Sequence, residues 1–570
     1  MKARGKTEKP VTAPDPRPSP ETGSAAAPGA GGAEHAWKWL AAALAVASVL
    51  LSLRGLGHGF LLLDDIAFIR DHPRVSQGWS LENAAWALTA RDDRNWMPLA
   101  RWAYLMNISW FGGWAGGHHL VSALFHGLAV WLCVWSWRLW TQNGAAALTA
   151  GAVFALHPLQ VEAVAWITAQ KDLLSAVFVF LALGCWKRSL APGKCGPWHW
   201  MAYFAFAAAL MAKPAVLGLP VFLLFAVCTE QTAEPRRRSF HDAAIRRLIP
   251  LVLMAAGAAV LTLWAGRSGE GVETPERQPW ISLVHAPVGM VKYFGTFIWP
   301  SGLCSQHPLP RTVPVAGALL ALSGLTGLTL ATWRLRHPQP WMWLGWSWAL
   351  SMLLPSSGLI AFGPQGWAER FGYVAISGLG ISLAGLLRAA RLPLFHPEVK
   401  ARRGGVLAAA GVIFCGMAFL FWKQQAFWRD SETLFRRTIE VEGEDGSALL
   451  KLGTAFAARG WANEAAICWA RAFDKDPGFL PTRYNHACVL MAQRNFPDAL
   501  LAVEPVVMGH PRWAEAHLVL ANALVENGRA AEAVSHYETA AALKPGLPTA
   551  ARNAAILRQR MNGPRREAGR

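Results

Sequence analysis

Apolar residues form long runs over most of the chain, and short polar segments separate one run from the next. Such runs are typical of helices that cross a bilayer, where a straight crossing needs roughly 20 apolar residues. The pattern predicts about eleven crossings, several of them shorter than this length. The predicted spans cover residues 37–57, 119–140, 145–157, 172–188, 198–212, 214–229, 247–265, 313–333, 341–360, 371–388 and 404–422.

Composition supports a membrane protein. Of the 570 residues, 53% are hydrophobic and only 16% are charged, whereas soluble domains carry roughly a quarter charged residues. The formal net charge is +18, but the chain has no basic-aromatic module of the kind that binds nucleic acid. We therefore expect membrane lipids, and no nucleic acid, among its partners.

Lys and Arg residues are concentrated in every second loop between the predicted spans. Loops rich in these residues usually face the cytoplasm, which places the N-terminus inside and, after eleven spans, the C-terminus outside. The outer face is then predicted to hold residues 58–118, 157–171, 266–312 and 361–370, and everything after about 423. Most long polar and aromatic segments fall on this face, which favours a functional site there.

The C-terminal part repeats with a period of 34 residues, marked by Pro477, Pro511 and Pro545. This is the period of the tetratricopeptide (TPR) repeat, a pair of antiparallel helices. The period predicts three repeats, which begin at Gly446, Leu480 and Ala514. A proline at 505 falls inside the second helix of the middle repeat and predicts a kink there. Such an array either binds a peptide on its concave surface or serves as a structural cap.

The predicted fold class is therefore all-α, with a polytopic helical membrane domain followed by a short TPR α-solenoid. A disordered cytoplasmic tail covers residues 1–35, the membrane domain 36–424, a linking helix 425–445 and the TPR array 446–560. The first apolar run follows a long Pro-rich tail, so we interpret it as a retained span and not as a cleaved signal peptide.

Asp64 and Asp65 follow an apolar stretch just beyond the first predicted span. Two adjacent acids at a membrane boundary repel each other and are costly to desolvate, which raises the pKa of one of them. A carboxylate in this position is suited to accept a proton from an alcohol. The alternative interpretation is a solvated pair of loop carboxylates.

A second group of polar residues surrounds the turn that precedes the span at 172–188. His157 and Glu162 flank this turn, and Lys171 opens the following helix, whose positive end favours an anion such as phosphate. Arg370 has an equivalent position at the start of another inward-running helix, and arginine grips phosphate bidentately. Alternatively, Lys171 extends to the membrane interface and Arg370 forms a surface ion pair with Glu369 or another acid.

Metal binding is not predicted. His118 and His119 open the second span, but no further residues are spaced to complete a metal site with them. The eight cysteines form no CxxC pair, and we find no Cys/His spacing suited to zinc. The sequence therefore predicts neither a metal nor any other cofactor.

Several stretches, taken in their order, resemble a known family. They are GFLLLDD, NWMPLARW, GGHHLVSALFH, HPLQVEAVAWITAQKD, MAKPAVLGLP, AERFGYV and WRDSETLF, followed by the TPR array. Together they resemble the GT-C class of glycosyltransferases that use polyprenyl-phosphate sugars. The branch most similar to this chain is that of the transmembrane, TPR-containing O-mannosyltransferases and their bacterial relatives.

The resemblance implies transfer of a sugar, mannose in this family, from a polyprenyl-phosphate donor to a hydroxyl of a protein acceptor on the outer face. In such enzymes an acid of the first outer loop is the base, which maps to Asp64 or Asp65, with a slight preference for Asp64. The cations that hold the donor phosphate map to Lys171 and Arg370. A further set falls in the family's motifs without an assigned role, namely His118, His119, His157 and Glu162.

The implied mechanism is a single displacement with inversion, in which the TPR array holds the acceptor. Two other interpretations stay open at this point, a non-catalytic membrane-anchored TPR scaffold and a polysaccharide polymerase or lipid-linked glycan transporter. The Ala-, Arg- and Trp-rich composition favours a bacterial inner-membrane protein with a periplasmic array. In a eukaryote the corresponding location is the endoplasmic reticulum membrane.

Overall fold

The structure is a computed structural model that describes residues 30–91, 96–191, 195–229, 235–266, 279–310, 312–357, 365–395 and 403–562. The described residues are almost wholly helical. The helices of the N-terminal part are α1 (Ala30–Ser52), α2 (Leu81–Thr89), α3 (Pro98–Phe111), α4 (Ala115–Thr141), α5 (Gly144–Leu156), α6 (Val161–Ala165), α7 (Gln170–Ser189), α8 (Cys195–Ala212), α9 (Leu219–Thr229), α10 (Pro235–Gly266), α11 (Pro279–Ile298), α12 (Val315–Arg334), α13 (Pro340–Leu353), α14 (Ile376–Ala389) and α15 (Arg403–Gln425).

The C-terminal part consists of α16 (Ser431–Glu442), α17 (Gly446–Ala458), α18 (Ala462–Lys475), α19 (Leu480–Ala492), α20 (Phe496–Gly509), α21 (Ala514–Glu526), α22 (Ala530–Leu543) and α23 (Pro548–Asn562). Two short antiparallel strands complete the described structure, β1 (His307–Pro308) and β2 (Gln365–Trp367), with His307 opposite Trp367.

Seven helical segments in the described part of the chain are long and apolar enough to cross a membrane. They are Ala36–Gly57, Ala115–Thr141, Ile167–Ser189, Ala244–Ala265, Trp280–Ile298, Val315–Arg334 and Gly404–Trp428. The number becomes eight if α5 and the segment Pro158–Ala165, which meet at a bend of 57°, count as one broken span. The prediction of a helical membrane domain is therefore confirmed, but the predicted count of eleven spans is not.

Two segments differ from the predicted organisation. Helix α11 lies within residues 266–312, which the sequence pattern assigned entirely to the outer face. Its apolar character was hidden because His285, Pro287 and Lys292 interrupt it. Helix α1 begins at Ala30, inside the segment predicted to be a disordered tail. Residues 1–29 of that tail lie outside the described residues.

The bundle is held together by large aromatic side chains and by close contacts between helices. Trp137, Phe222 and Trp348 are fully buried and pack edge-to-face, with ring centroids 5.0–6.2 Å apart. Small residues permit helices to approach within a membrane, and two glycines show this directly. A Cβ atom at Gly218 would lie 1.7 Å from the Ser351 carbonyl oxygen, and one at Gly345 would lie 2.2 Å from that of Gly378.

The first and last helices of the membrane domain end at the same face of the bundle. Gln425 donates to the Leu51 carbonyl at 3.0 Å, and Arg54 donates to the Trp422 carbonyl at 2.9 Å. Just beyond, the Leu62 amide donates to the Ser431 hydroxyl at 2.8 Å. The segment that carries the acidic pair and the C-terminal array therefore lie on one side of the membrane domain.

The helix pairs of the array begin at the three predicted residues, Gly446, Leu480 and Ala514. Pro505 lies inside α20, which continues to Gly509. The residue that ends the inter-helix turn has a left-handed conformation in every repeat. It is Gly460 in the first (φ +80°), Arg494 in the second (φ +60°) and Gly528 in the third (φ +78°). Only the middle repeat has a side chain at this position.

We predict that Arg494→Gly stabilises the middle repeat by about 1 kcal/mol, because a left-handed backbone is unfavourable for residues other than glycine. The neighbouring thiol of Cys488 should then react about fivefold more slowly with a thiol reagent in moderate urea. Mass spectrometry of the peptide resolves this thiol from the other cysteines. The matched control Gly528→Ala, which adds a Cβ at φ +78°, should destabilise the array. Faster labelling of Cys488 in Arg494→Gly would contradict the prediction.

Candidate functional site

The acidic pair lies where the chain leaves the membrane domain, and its two side chains differ in exposure. The Asp64 side chain is 39% exposed, whereas Asp65 is fully buried. A single π-helical turn, Ile66–Arg70, follows directly. Such turns are rare and occur frequently at functional sites. Only Asp64 is therefore accessible to a substrate.

The carboxylate of Asp65 joins the segment that follows α1 to the start of α7. It accepts hydrogen bonds from the Leu61 amide at 3.1 Å, from the Thr168 amide at 2.9 Å and from the Thr168 hydroxyl. Burial raises the pKa of Asp65 to about 6, although these hydrogen bonds oppose the rise. Because its oxygens are occupied by protein donors, Asp65 acts as an anchor for its neighbour.

A polar network fixes the turn to which Asp65 is anchored. The Tyr104 hydroxyl donates to the Thr168 carbonyl at 2.6 Å. Asn107 donates to the Gln170 side chain at 2.7 Å, and Gln170 donates in turn to the His118 carbonyl at 2.8 Å. The first residues of α7 are thus held by α3 and α4. A buried network with satisfied partners restricts a segment to one conformation.

Lys171 follows this turn and faces the exposed acid. Its ammonium nitrogen lies 4.0 Å from Asp64 Oδ2 and 5.6 Å from the centre of the Trp166 ring. The Lys171 side chain is only 12% exposed. The structure therefore brings together two of the residues that the sequence analysis singled out, one from the first outer segment and one from the start of α7.

Arg370 is held by a buried carboxylate that lies 208 residues earlier in the chain. The Arg370 amide donates to Glu162 Oε2 at 2.8 Å, the guanidinium pairs with Glu162 Oε1, and Nη2 donates to Gln365 at 2.9 Å. Burial lowers the pKa of Arg370, but the charges of Glu162, Asp172 and Asp64 outweigh this effect and raise it. The partner considered in the sequence analysis, Glu369, points elsewhere and accepts from the Cys304 amide at 2.7 Å.

Lys213 is a third cation in the same region. Its ammonium group lies 2.5 Å from Asp172 Oδ1 and 5.2 Å from the centre of the Phe371 ring. Burial lowers the pKa of Lys213 to about 8, and the charges of Arg370 and Lys171 lower it further while Asp172 opposes the shift. A small cavity lies beside Lys213 and Arg370 and is also lined by Asp172, Ser175, Phe371 and Tyr373.

Lys451 is a fourth cation, and it comes from α17, the first helix of the TPR array. Burial lowers the pKa of Lys451 to about 8, while Asp64 and Asp445 oppose the shift and Arg370 adds to it. The next residue, Leu452, belongs to a hydrophobic core that also includes residues of the membrane domain. The array therefore contributes a charge to the region around Asp64.

The sequence analysis missed Lys213 and Lys451. Lys213 lies in the stretch MAKPAVLGLP, which was noted only for its resemblance, and its pairing with Asp172 depends on tertiary structure. Lys451 occupies a repeat position that carries no motif. Its role becomes visible only when the array is seen to pack against the membrane domain.

The remaining candidate residues are buried and contact the protein itself. The Nε2 atom of His118 lies 3.0 Å from the Gly112 carbonyl, and its ring packs against Phe60. His119 packs edge-on against another histidine, His58, at 5.6 Å. The Nε2 atom of His157 lies 3.0 Å from the Phe297 carbonyl. The structure thus shows these histidines as packing residues around the site.

Comparisons with known proteins agree with this architecture. The family model "Tetratricopeptide repeat" matches residues 484–548, which confirms a TPR region in this part of the chain. The chain is 34% identical over 210 residues to "Protein O-mannosyl-transferase Tmtc2" of Drosophila melanogaster, a match that covers 34% of this chain and 22% of that protein. It is 30% identical over 162 residues to "Protein O-mannosyl-transferase Tmtc1" of the same species, covering 28% and 18%.

A mouse relative, "Protein O-mannosyl-transferase TMTC1" of Mus musculus, is 29% identical over 202 residues, covering 32% of this chain and 21% of the relative. The matches thus span about a fifth of the length of these curated relatives. The solved structure "Crystal structure of APC/C hetero-tetramer Cut9-Hcn1" contains a chain that aligns with this protein over 86% of this protein and 99% of that chain. The TM-score is 0.22 and the identity is 13%, a likeness too slight to support any argument.

The fold and the site define a multi-pass helical membrane protein with a TPR array and a charged site shared between the two. Its similarity to proteins named as O-mannosyl-transferases confirms the resemblance indicated by the sequence motifs.

The raised pKa of Asp65 leads to a prediction about pH. The folded state binds the carboxyl proton of Asp65 more tightly than the unfolded state does. The stabilisation that this protonation gives to the folded state is therefore complete below pH 3.8 and is lost as the pH rises through about 6. The shift corresponds to about 3 kcal/mol. The difference in melting temperature, Asp65→Asn minus wild type, should therefore become more positive by a few degrees as the pH is raised from 4 to 7.

The control for this measurement is Asp71→Asn in the same segment. The Asp71 side chain is 55% exposed and paired with Arg70. Its variant should track the wild type across the same pH range. A constant difference between Asp65→Asn and the wild type from pH 4 to pH 7 would show that Asp65 does not titrate there.

Proposed function

We propose that this protein is a membrane glycosyltransferase that moves a sugar, mannose in the first instance, from a polyprenyl-phosphate donor to a hydroxyl group of a protein. The observation that carries the proposal is the position of Asp64, a partly exposed carboxylate 4.0 Å from the Lys171 ammonium group. The charges of Arg370 and Lys451 act on the same carboxylate. A base beside several cations is the arrangement that this reaction requires.

In the proposed reaction Asp64 is the base. It accepts the proton of the acceptor hydroxyl as the hydroxyl oxygen attacks the anomeric carbon of the sugar. The bond between that carbon and the phosphate oxygen breaks, and polyprenyl phosphate leaves with the bonding electrons. Attack from the face opposite the leaving group inverts the anomeric configuration. The three protein donors that Asp65 already accepts from favour Asp64 over Asp65 for this role.

The cations divide into two kinds. Arg370 and Lys213 each have a close carboxylate partner, Glu162 and Asp172 respectively. For Lys171 the carboxylate contact found among the described residues is the longer one of 4.0 Å with Asp64, beside the Trp166 ring. Lys171 is therefore best placed to bind the donor phosphate, and Arg370 contributes as a fixed positive charge. Charge that is positioned in advance stabilises a leaving phosphate without reorganisation during the reaction.

We propose that the site and the array face the periplasm of a bacterial cell. The acceptor is a protein segment guided by the TPR array, whose first helix borders the site. The pattern of Lys and Arg in the loops supports this orientation, and the common face of the first outer segment and the array agrees with it.

The role of the base predicts that Asp64→Asn reduces sugar transfer at least about 100-fold, since a positioned base contributes this much or more. Transfer should be measured with purified protein in lipid vesicles that contain polyprenyl-phosphate mannose and an acceptor peptide. The matched control is Glu82→Gln, which changes an 80% exposed acid of the same segment and should leave transfer unchanged. Full activity of Asp64→Asn would remove the base from the mechanism.

We also predict that Lys451→Met raises the KM for the lipid-linked donor about tenfold and changes kcat less, because Lys451 would attract the donor without reacting with it. The control is Lys544→Met in the third repeat, where the ammonium group lies 2.6 Å from Glu515 and is 56% exposed. An unchanged KM in Lys451→Met would show that the array does not contribute to donor binding.

A further inference from the structure

A second group of polar side chains lies next to the turn that carries Arg370, on the side of its neighbour Glu369. Cys304 and His307 belong to the segment between α11 and α12, and Glu442 is the last residue of α16. Glu369, the neighbour of Arg370, contacts the same group. The segment is fixed by pairing of β1 with β2, which sets His307 opposite Trp367.

The distances within this group are close to those of a metal site. His307 Nδ1 lies 2.6 Å from Glu442 Oε1, and the Cys304 sulfur lies 3.8 Å from the same nitrogen. One ligand atom from each of these three residues can be chosen so that all lie within 4.8 Å of one another. Tetrahedral zinc, with bonds of about 2.0–2.3 Å, holds its ligand atoms about 3.3–3.8 Å apart. The His307 and Glu442 atoms would have to separate by about 0.7 Å, and any pair wider than 3.8 Å would have to close by at most about 1 Å, to bring the three residues to this geometry.

The burial of these side chains and an unpaired carboxylate oxygen also support a metal site. Cys304 is 1% exposed and His307 is 3% exposed, and the His307 ring stacks on Trp367 at 3.8 Å. Glu369 is fully buried, and its Oε1 lies 3.5 Å from His307 Nε2. Its other oxygen has no hydrogen-bond partner among the described residues. A buried carboxylate oxygen without a donor is costly and calls for an explanation such as a bound cation.

We propose that Cys304, His307 and Glu442 bind a divalent cation of the zinc type, with Glu369 as the fourth ligand or as the carboxylate that orients His307. Thiolate and imidazole select zinc among the common divalent cations, and a carboxylate is a frequent partner of a zinc-bound histidine. Binding needs the thiolate form, so the Cys304 proton is released to solvent.

The role of the ion would be structural. It would fasten the segment before α12 to the end of α16, the helix that links the membrane domain to the array. It would also hold the backbone beside Arg370. The sequence analysis saw no Cys/His spacing suited to zinc, although Cys304 and His307 are three positions apart. The third residue, Glu442, is 135 positions from His307, so the group is assembled only by the fold.

The test uses the full-length protein, purified in detergent without a histidine tag and stripped with a chelator that is then removed. Co²⁺ serves as the probe because a thiolate ligand produces an intense near-ultraviolet charge-transfer band. We expect the band to saturate at one Co²⁺ per chain and to disappear in Cys304→Ser. Zinc added in its place should be retained at one equivalent, as measured by elemental analysis.

Two further variants make the result specific. Glu442→Gln lies at the end of a helix, where the side chain is 29% exposed, so the variant should fold. It should weaken Co²⁺ binding at least tenfold. Cys468→Ser removes another buried thiol, in α18 of the array, and should bind Co²⁺ like the wild type.

The alternative is a metal-free clip in which a protonated His307 bridges Glu442 and Glu369. It predicts no thiolate band, less than one tenth of an equivalent of zinc, and no effect of zinc on the melting temperature. Any of these results for the wild-type protein, or an unchanged band in Cys304→Ser, would overturn the proposal.

Discussion

The arrangement of the site depends on one buried carboxylate. Asp65 connects the segment that follows α1 to the turn before α7 through Leu61 and Thr168, and its neighbour Asp64 is thereby directed toward Lys171. Burying an ionised carboxylate is costly unless donors compensate for it, and the raised pKa of Asp65 shows that compensation is incomplete. The fold therefore keeps an energetically unfavourable group where it positions the exposed acid.

The second constraint is the attachment of the array to the membrane domain. Contacts between the end of α1 and the end of α15 bring the acidic segment and the linking helix together. Because α17 follows a short connection after α16, its first turns are confined to the neighbourhood of Asp64. An array on a flexible tether would not hold Lys451 beside the site. Here the repeat domain contributes the charge of Lys451 near Asp64, so under the proposed function acceptor binding and donor binding would be coupled through one helix.

Local chemistry predicted some of these features well. The 34-residue period located the helix pairs of the array at Gly446, Leu480 and Ala514 because each repeat is a self-contained unit of sequence. Helix ends indicated Lys171 and Arg370. Lys171 is the second residue of α7 and lies beside Asp64, whereas Arg370 lies in the short turn Glu369–Gly372 ahead of α14 and not at its first residue. Both inferences needed only neighbouring residues, whose relation to one another is set by helix geometry.

Pairings across long separations could not be predicted in the same way. Glu162 and Arg370 are 208 positions apart, and nothing in either local sequence specifies the other. The count of eleven spans is not confirmed, because α13 and α14, at 14 residues each, are shorter than a straight crossing needs and lie largely buried within the bundle. Hydropathy does not separate a helix buried among helices from one that faces lipid. Hydropathy also failed to identify α11 as a candidate span, because its polar residues resemble those of a loop.

The charges of the site are better understood as pairs than as a list of cations. A buried ion pair rarely adds stability relative to apolar residues, but removing one partner leaves an uncompensated charge. Glu162 with Arg370 and Asp172 with Lys213 therefore form a framework of paired charges. This framework leaves the Asp64 carboxylate and the Lys171 ammonium group 4.0 Å apart. At this distance the two groups form only a weak ion pair. Under the proposed function, an acid and a cation that are close but weakly paired would exchange their mutual contact for contacts with an incoming hydroxyl and phosphate, as group transfer requires.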